Sequence, residues 1–152
     1  MKKIFYGTLI VLTGTLLIIS SAFAAFIVPD YVYRIDQLKD AQASARDNGM
    51  AITFLYSNEN TSCSLATAAS LAVIRELKQR SVIIYVSSEN NSDRKKIPAI
   101  VREALKSSEA GRFIPKTVIV NAEMDRVIFI VPYAKQPERD RVLKEALKKM
   151  AE

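Results

Sequence analysis

Histidine is absent from this chain, and cysteine occurs once, as Cys63. Without histidine there is no Ser-His-Asp or Cys-His catalytic arrangement and no histidine zinc site. A single cysteine leaves no intramolecular disulfide and no cysteine-rich metal site. The expected cofactor and metal content is therefore none. Acidic residues are the scarcer charge, 16 against 22 basic, for a net charge of +6. Two of the lysines, Lys2 and Lys3, open the chain, and the rest are scattered over predicted helices. They read as solvated helix faces rather than as a surface for nucleic acid. No internal repeat and no second domain is visible.

What is present is enough for one domain with a core: 152 residues, 49% of them hydrophobic and 25% charged. The first segment stands apart. After Met1-Lys2-Lys3, residues 4–19 form an apolar run interrupted only by Gly and Thr, and Ser20-Ser21-Ala22-Phe23-Ala24 ends in an A-x-A pattern. This is the layout of a secretory signal peptide cleaved after Ala24. The uncharged run continues to Val28, about 25 residues in all, long enough to span a bilayer. Cleaved export and a retained N-terminal anchor reaching to about residue 28 both stay open. Either places residues 30–152 across the membrane from the cytoplasm, since the two lysines stay inside. The expected location is the periplasm, soluble or anchored in the inner membrane and facing it. In that setting Asn60-Thr61-Ser62 and Asn90-Asn91-Ser92 are chance matches to glycosylation acceptors.

Along the remaining chain, Ile35, Leu38, Ala41 and Ala45 recur at helical spacing, predicting an amphipathic helix over residues 31–47 that ends at Asn48-Gly49. Residues 50–57 form a short apolar run read as a buried strand. Thr61 or Ser62 is the predicted N-cap of an Ala- and Leu-rich helix that turns Val73, Ile74 and Leu77 inward. Residues 81–87 are continuously apolar, as in a strand covered on both faces. Residues 88–95 read as a polar loop. A third helix follows, marked by Ile97, Ile100, Val101, Ala104 and Leu105, with Pro98 in its first turn. Residues 115–121 and 126–131 are two strands of a hairpin. A last helix begins near Pro137 with Val142, Leu143, Ala146, Leu147 and Met150 on one face. The order is helix, β-α-β, helix, β-β-α.

That order, with Cys63 at the mouth of a helix and Arg112-Phe113-Ile114-Pro115-Lys116-Thr117 opening a later strand, resembles the thioredoxin-like fold superfamily. The resemblance covers about residues 31–150. It implies an α/β fold with a four-stranded mixed sheet covered by helices on both faces. It also implies a cis peptide at Ile114–Pro115, facing the Cys63 sulfur and binding substrate. The family's C-x-x-C is only half present. Cys63 maps either to its first position, as Cys63-Ser64-Leu65-Ala66, or to its second, as Asn60-Thr61-Ser62-Cys63. The family's tryptophan before the motif and its Gly-Pro between the cysteines are both missing.

Two functions follow as expectations. One is an exported thioredoxin-like protein of the cell envelope, with Cys63 as the catalytic residue of a monothiol redox or thiol-exchange reaction. The other is a non-catalytic protein-interaction module that kept the fold and lost the dithiol. Both need a protein or peptide partner, and the membrane enters only through an uncleaved first segment. A helix N-terminus offers unpaired N–H groups and a positive dipole end, and thiolate is the reactive form of cysteine. With no second thiol, a mixed disulfide at Cys63 cannot be resolved within the chain. Core packing of the thiol and an intermolecular bridge are the other readings of this residue. Glu59 is placed to influence proton transfer at the thiol or simply to solvate the loop. Tyr56 and Tyr85 read as strand packing, and Arg112 and Lys116 as a charged rim beside Pro115.

Overall fold

The computed structural model describes residues 26–152. Ten regular elements carry the fold: β1 (Tyr33–Arg34), α1 (Leu38–Asp47), β2 (Ala51–Ser57), α2 (Ser64–Leu77), β3 (Ser81–Ser87), α3 (Asn91–Lys96), α4 (Ala99–Lys106), β4 (Lys116–Val120), β5 (Val127–Val131) and α5 (Glu138–Lys149). Single 3₁₀ turns at Ile35–Gln37 and Ser108–Ala110 join two of them. The sheet has five strands in the order β1-β3-β2-β4-β5. β2 is central and parallel to β3, antiparallel to β4, and the hairpin strand β5 forms one edge.

The apolar runs of β2 and β3 divide their side chains between two layers, because successive strand residues point to opposite faces. Leu55, Ile83 and Tyr85 join one core with Ala72, Val73, Ile74 and Leu77 of α2 and Val142, Leu143 and Ala146 of α5. Ile52, Phe54, Val82, Ile84 and Val86 face the other core, closed by Ala41 and Ala45 of α1 and by Val101, Ala104 and Leu105 of α4. Helices thus cover both faces, as the sequence predicts.

The fold departs from the sequence reading in four places. Residues 31–34 are not helical and residues 35–37 form only a 3₁₀ turn: Tyr33 and Arg34 pair in parallel with Ile84 and Tyr85, adding a fifth strand to the expected four. The stretch read as a polar loop contains α3, a helix with no buried residue, capped where the Asn90 side chain accepts from the Ser92 N–H. Pro98 is the N-cap of α4 rather than part of its first turn. Finally, the core begins earlier than residue 30, with Phe26 at 3% exposure and Val28 at 8%. The proposed signal peptide lies outside the described residues. No helix of the described residues is long and apolar enough to cross a membrane.

Candidate functional site

Strand direction decides where the site forms. β2 and β3 end together at Ser57 and Ser87, β4 begins at the same end with Lys116 opposite Tyr56, and β5 finishes there with Val131 opposite Thr117. The loops 58–63, 111–115 and 132–137 therefore emerge from one end of the sheet. Cys63 and the Ile114–Pro115 peptide lie on two of those loops, and that peptide is cis.

Cys63 is exposed. This removes core packing as the role of its thiol. It is itself the N-cap of α2, with extended backbone (φ −80°, ψ 103°), in place of the predicted Thr61 or Ser62. The Thr61 hydroxyl instead accepts from the Cys63 N–H at 3.2 Å. The Cys63 carbonyl takes the first helical bond, from the Thr67 N–H at 3.0 Å. No side chain caps the free N–H groups of the first turn, and the turn holds no acidic residue. These donors and the aligned peptide dipoles of a 14-residue helix point at the loop end. Three residues on, Ala66 is buried at 7% exposure on the inner side of the same turn. The helix is fixed to the strand end by a buried hydrogen bond of 2.8 Å between the Ser57 and Ser70 hydroxyls.

The loop before Cys63 is clamped from both sides. Glu89 accepts from the side-chain amides of Asn58 at 2.7 Å and Asn60 at 3.0 Å. Arg34 of β1 grips the Glu59 carboxylate with Nη1 and Nη2, each 3.1 Å from Oε2. Glu59 is thus committed to an ion pair, and among the described residues no hydrogen bond joins it to Cys63. The Arg34 guanidinium also lies 4.9 Å above the centre of the Tyr85 ring. Tyr85 is fully buried and donates its phenolic hydrogen to the Ser57 carbonyl at 3.1 Å. The arginine, glutamate and tyrosine form a buttress from the sheet edge to the loop. Beside it is an open polar cleft of about 580 Å³, whose walls include Arg34, Glu59, Asn60, Glu89 and Lys96. A larger groove, of about 770 Å³, runs between α4 and β5 and does not include Cys63.

Pro115 is buried and Ile114 half-buried, while Arg112 is exposed. Lys116 is not a free rim charge, because its Nζ donates to the Leu105 carbonyl at 3.1 Å. Sequence reasoning missed the apolar rim of this end of the sheet. Leu65, in the first turn of α2, is 50% exposed and Phe113 is 69% exposed. Phe113 meets Tyr133 edge-on, with ring centres 6.3 Å apart. An aromatic next to the Ile-Pro pair was the one signal available for this rim. Arg34 was hidden because it was read as part of a helix.

Burial pushes the Tyr85 hydroxyl up to about 12, and the neighbouring Glu59 carboxylate adds to the rise. A neutral tyrosine favoured in the folded state contributes stability that is whole below the unfolded value, near 10, and is lost as pH rises through about 12. The expected result is a fall in unfolding free energy of about 1–3 kcal/mol across that window, beyond any fall seen in Tyr85→Phe. Denaturant midpoints of the two proteins, compared at matched alkaline pH, check it. Equal slopes would remove Tyr85 as the source.

No protein-family model matches the chain, and no curated protein matches it. Solved structures do. A thioredoxin from Thermus thermophilus superposes with a TM-score of 0.53 at 14% identity, over 79% of this chain and 90% of that one. A structure described as DsbH oxidoreductase aligns at 14% identity over 94% of this chain and 95% of the other, with a TM-score of 0.47. The fold of this chain is thioredoxin-like.

Proposed function

We propose that the chain is an exported thioredoxin-like protein of the cell envelope that forms mixed disulfides with partner proteins through Cys63. The observation that carries the reading is an exposed thiol at the N-cap of α2, with a small buried residue, Ala66, at the place in the same turn where a second thiol would stand. This favours Cys63 as the first position of the C-x-x-C motif. In the reaction, the Cys63 thiolate attacks one sulfur of a partner disulfide. The Cys63–partner S–S bond forms, the partner's own S–S bond breaks, and the partner's second sulfur leaves as a thiolate. The chain has no thiol to reverse this, so release requires an external thiol.

Substrate binding falls to the neighbouring loops. Backbone groups of Ile114, beside Pro115, pair with an extended segment as a strand edge does. Leu65, Phe113 and Tyr133 offer it apolar contact. That rim is also what a purely interacting module would use, and the exposed Phe113 keeps the second reading in play.

The test is to express the full chain with its first segment and to quench periplasmic and membrane fractions with an alkylating agent. Disulfide-linked adducts of the wild type are expected in the periplasm-facing fraction, cleared by dithiothreitol and lost in Cys63→Ser. The variant should keep its stability to within about 0.5 kcal/mol, because the side chain is exposed. Equal adducts in the variant, or a folded wild type that accumulates none while Cys63 alkylates freely, would leave only the interaction module. Recovery of the protein from the cytoplasm would sink export.

A further inference from the structure

The larger groove lies away from Cys63. β5 is an edge strand of five consecutive apolar residues, Val127–Val131, with no charge, proline or glycine in it. Four of the five are only half-buried. Natural sheets blunt their edges with short strands, charges or prolines, or cover them. The opposite edge does so, since β1 is two residues long. β5 carries one bulge in its pairing with β4, where Val120 meets Val127 but Ile119 meets Phe129, and has no charge or proline along its outer edge. The groove beside it is floored by Val127 and Ile130, which face the α4 core, and walled by Ile100, Glu103 and Ala104 of α4.

The charges at the two ends of this strip differ in sign. Arg126 immediately precedes β5 and is exposed. Glu109, also exposed, borders the groove at the other end. That end is fixed because Gly111, just past the Ser108–Ala110 turn, packs on Pro132, the residue after β5 (a Cβ on Gly111 would lie 3.7 Å from the Pro132 Cβ). Neither Arg126 nor Glu109 has an ion-pair partner among the described residues.

We infer that β5 pairs antiparallel with β5 of a second copy of this chain about a twofold axis, joining two five-stranded sheets into one. Antiparallel pairing brings the start of one β5 to the finish of the other. Arg126 of each copy then faces Glu109 of its partner, twice by symmetry, and each groove lies alongside the new seam. A neutral apolar peptide would answer the strand but leave both charges unmatched, which is why a second copy is the occupant. The contact lies on the sheet edge, and Arg126 sits at the end opposite Cys63.

The experiment is sedimentation velocity on protein purified from cells expressing the full chain, in reducing buffer so that a Cys63 disulfide cannot mimic the dimer. A reversible dimer is expected by about 10–100 µM. Arg126→Glu and Glu109→Arg should each weaken it about tenfold or more, and the double swap should return it to within about threefold of wild type. Amide exchange over residues 127–131 should slow with protein concentration. Because both substituted side chains are exposed, circular dichroism should show the fold intact. A wild type that stays monomeric at about 200 µM overturns the proposal. So does a dimer indifferent to both single reversals, a double swap that fails to recover, or exchange in β5 that ignores concentration. A monomer that instead takes up a synthetic apolar strand peptide at β5 also overturns it, in favour of that occupant.

Discussion

Ala66→Cys is expected to give a working dithiol reductase, with a gain in insulin reduction of about a hundredfold or more over the wild type. Residues three apart at a helix start have Cα atoms about 5 Å from each other, and a disulfide closes when the Cα separation is about 4.4–6.8 Å. A thiol at position 66 would therefore be held beside the Cys63 sulfur at a high effective concentration. It would displace the partner from a mixed disulfide, leaving an intramolecular disulfide between Cys63 and the introduced thiol and a reduced partner. Dithiothreitol would then return the pair to the dithiol. Ala66 is 7% exposed, so the added sulfur has to be packed, at a cost of about 1–3 kcal/mol. The contrasting variant is Asn60→Cys. The Asn60 side chain is exposed and tied to Glu89, before the helix rather than in its first turn. A gain in Asn60→Cys without one in Ala66→Cys would make Cys63 the second position of the motif. No gain in either would mean that the end of the sheet lacks the rest of the reductase machinery, and the interaction-module reading would stand.

Phe54→Ala should be the most damaging single truncation in the central strand, lowering unfolding free energy by about 3–5 kcal/mol. Phe54 is fully buried in β2, with α1 and α4 closing its face of the sheet, so its removal leaves a void that neither helix can fill alone. Against a typical total of about 5–15 kcal/mol, that is enough to leave a substantial unfolded fraction near physiological temperature. The control is Leu71→Ala on α2, where a similarly apolar side chain is 43% exposed and the loss should stay within about 1 kcal/mol. Urea unfolding with an unchanged slope for both variants makes the comparison. A cost for Phe54→Ala no greater than for Leu71→Ala would contradict the two-layer core.

The elements that sequence reasoning found are those whose burial is written in composition. β2 and β3 are short, mainly apolar runs, with Thr53 the one polar residue inside them, and α2 and α5 repeat their apolar residues at helical spacing. These fix the β-α-β unit, and the hairpin follows from the turn at residues 122–125. The elements it missed bury too little for a pattern to register. α3 has no buried residue; besides its Asn90 cap it is tied to the end of β3, where the Asp93 carboxylate accepts from the Ser87 N–H. β1 is two residues long and is held by pairing with β3 rather than by its own propensity. At the site, a cysteine at a helix start was legible from position alone, but its exposure was not. Nor was the clamp around it. Arg34 and Glu59 are 25 residues apart, and only the folded sheet brings them together. The N-cap moved from Thr61 or Ser62 to Cys63 because the Thr61 hydroxyl is spent on the Cys63 N–H.

The burial of Phe26 has a bearing on reach. Its ring packs 5.9 Å from that of Tyr85, whose hydroxyl touches the Ser57 carbonyl, the last strand residue before the Cys63 loop. The polypeptide thus joins the folded body at the same end as the thiol. If the apolar first segment stayed in a bilayer, no slack would separate it from the domain, because one residue spans at most about 3.6 Å and Ala25 is the only one between Ala24 and the core. Cys63 would then sweep a shallow zone next to the lipid headgroups and meet only partners presented at that height. Cleavage after Ala24 would instead free it to diffuse through the whole compartment. The same thiol would serve a membrane-bound clientele in one case and a dissolved one in the other, decided by a single peptide bond just ahead of Phe26.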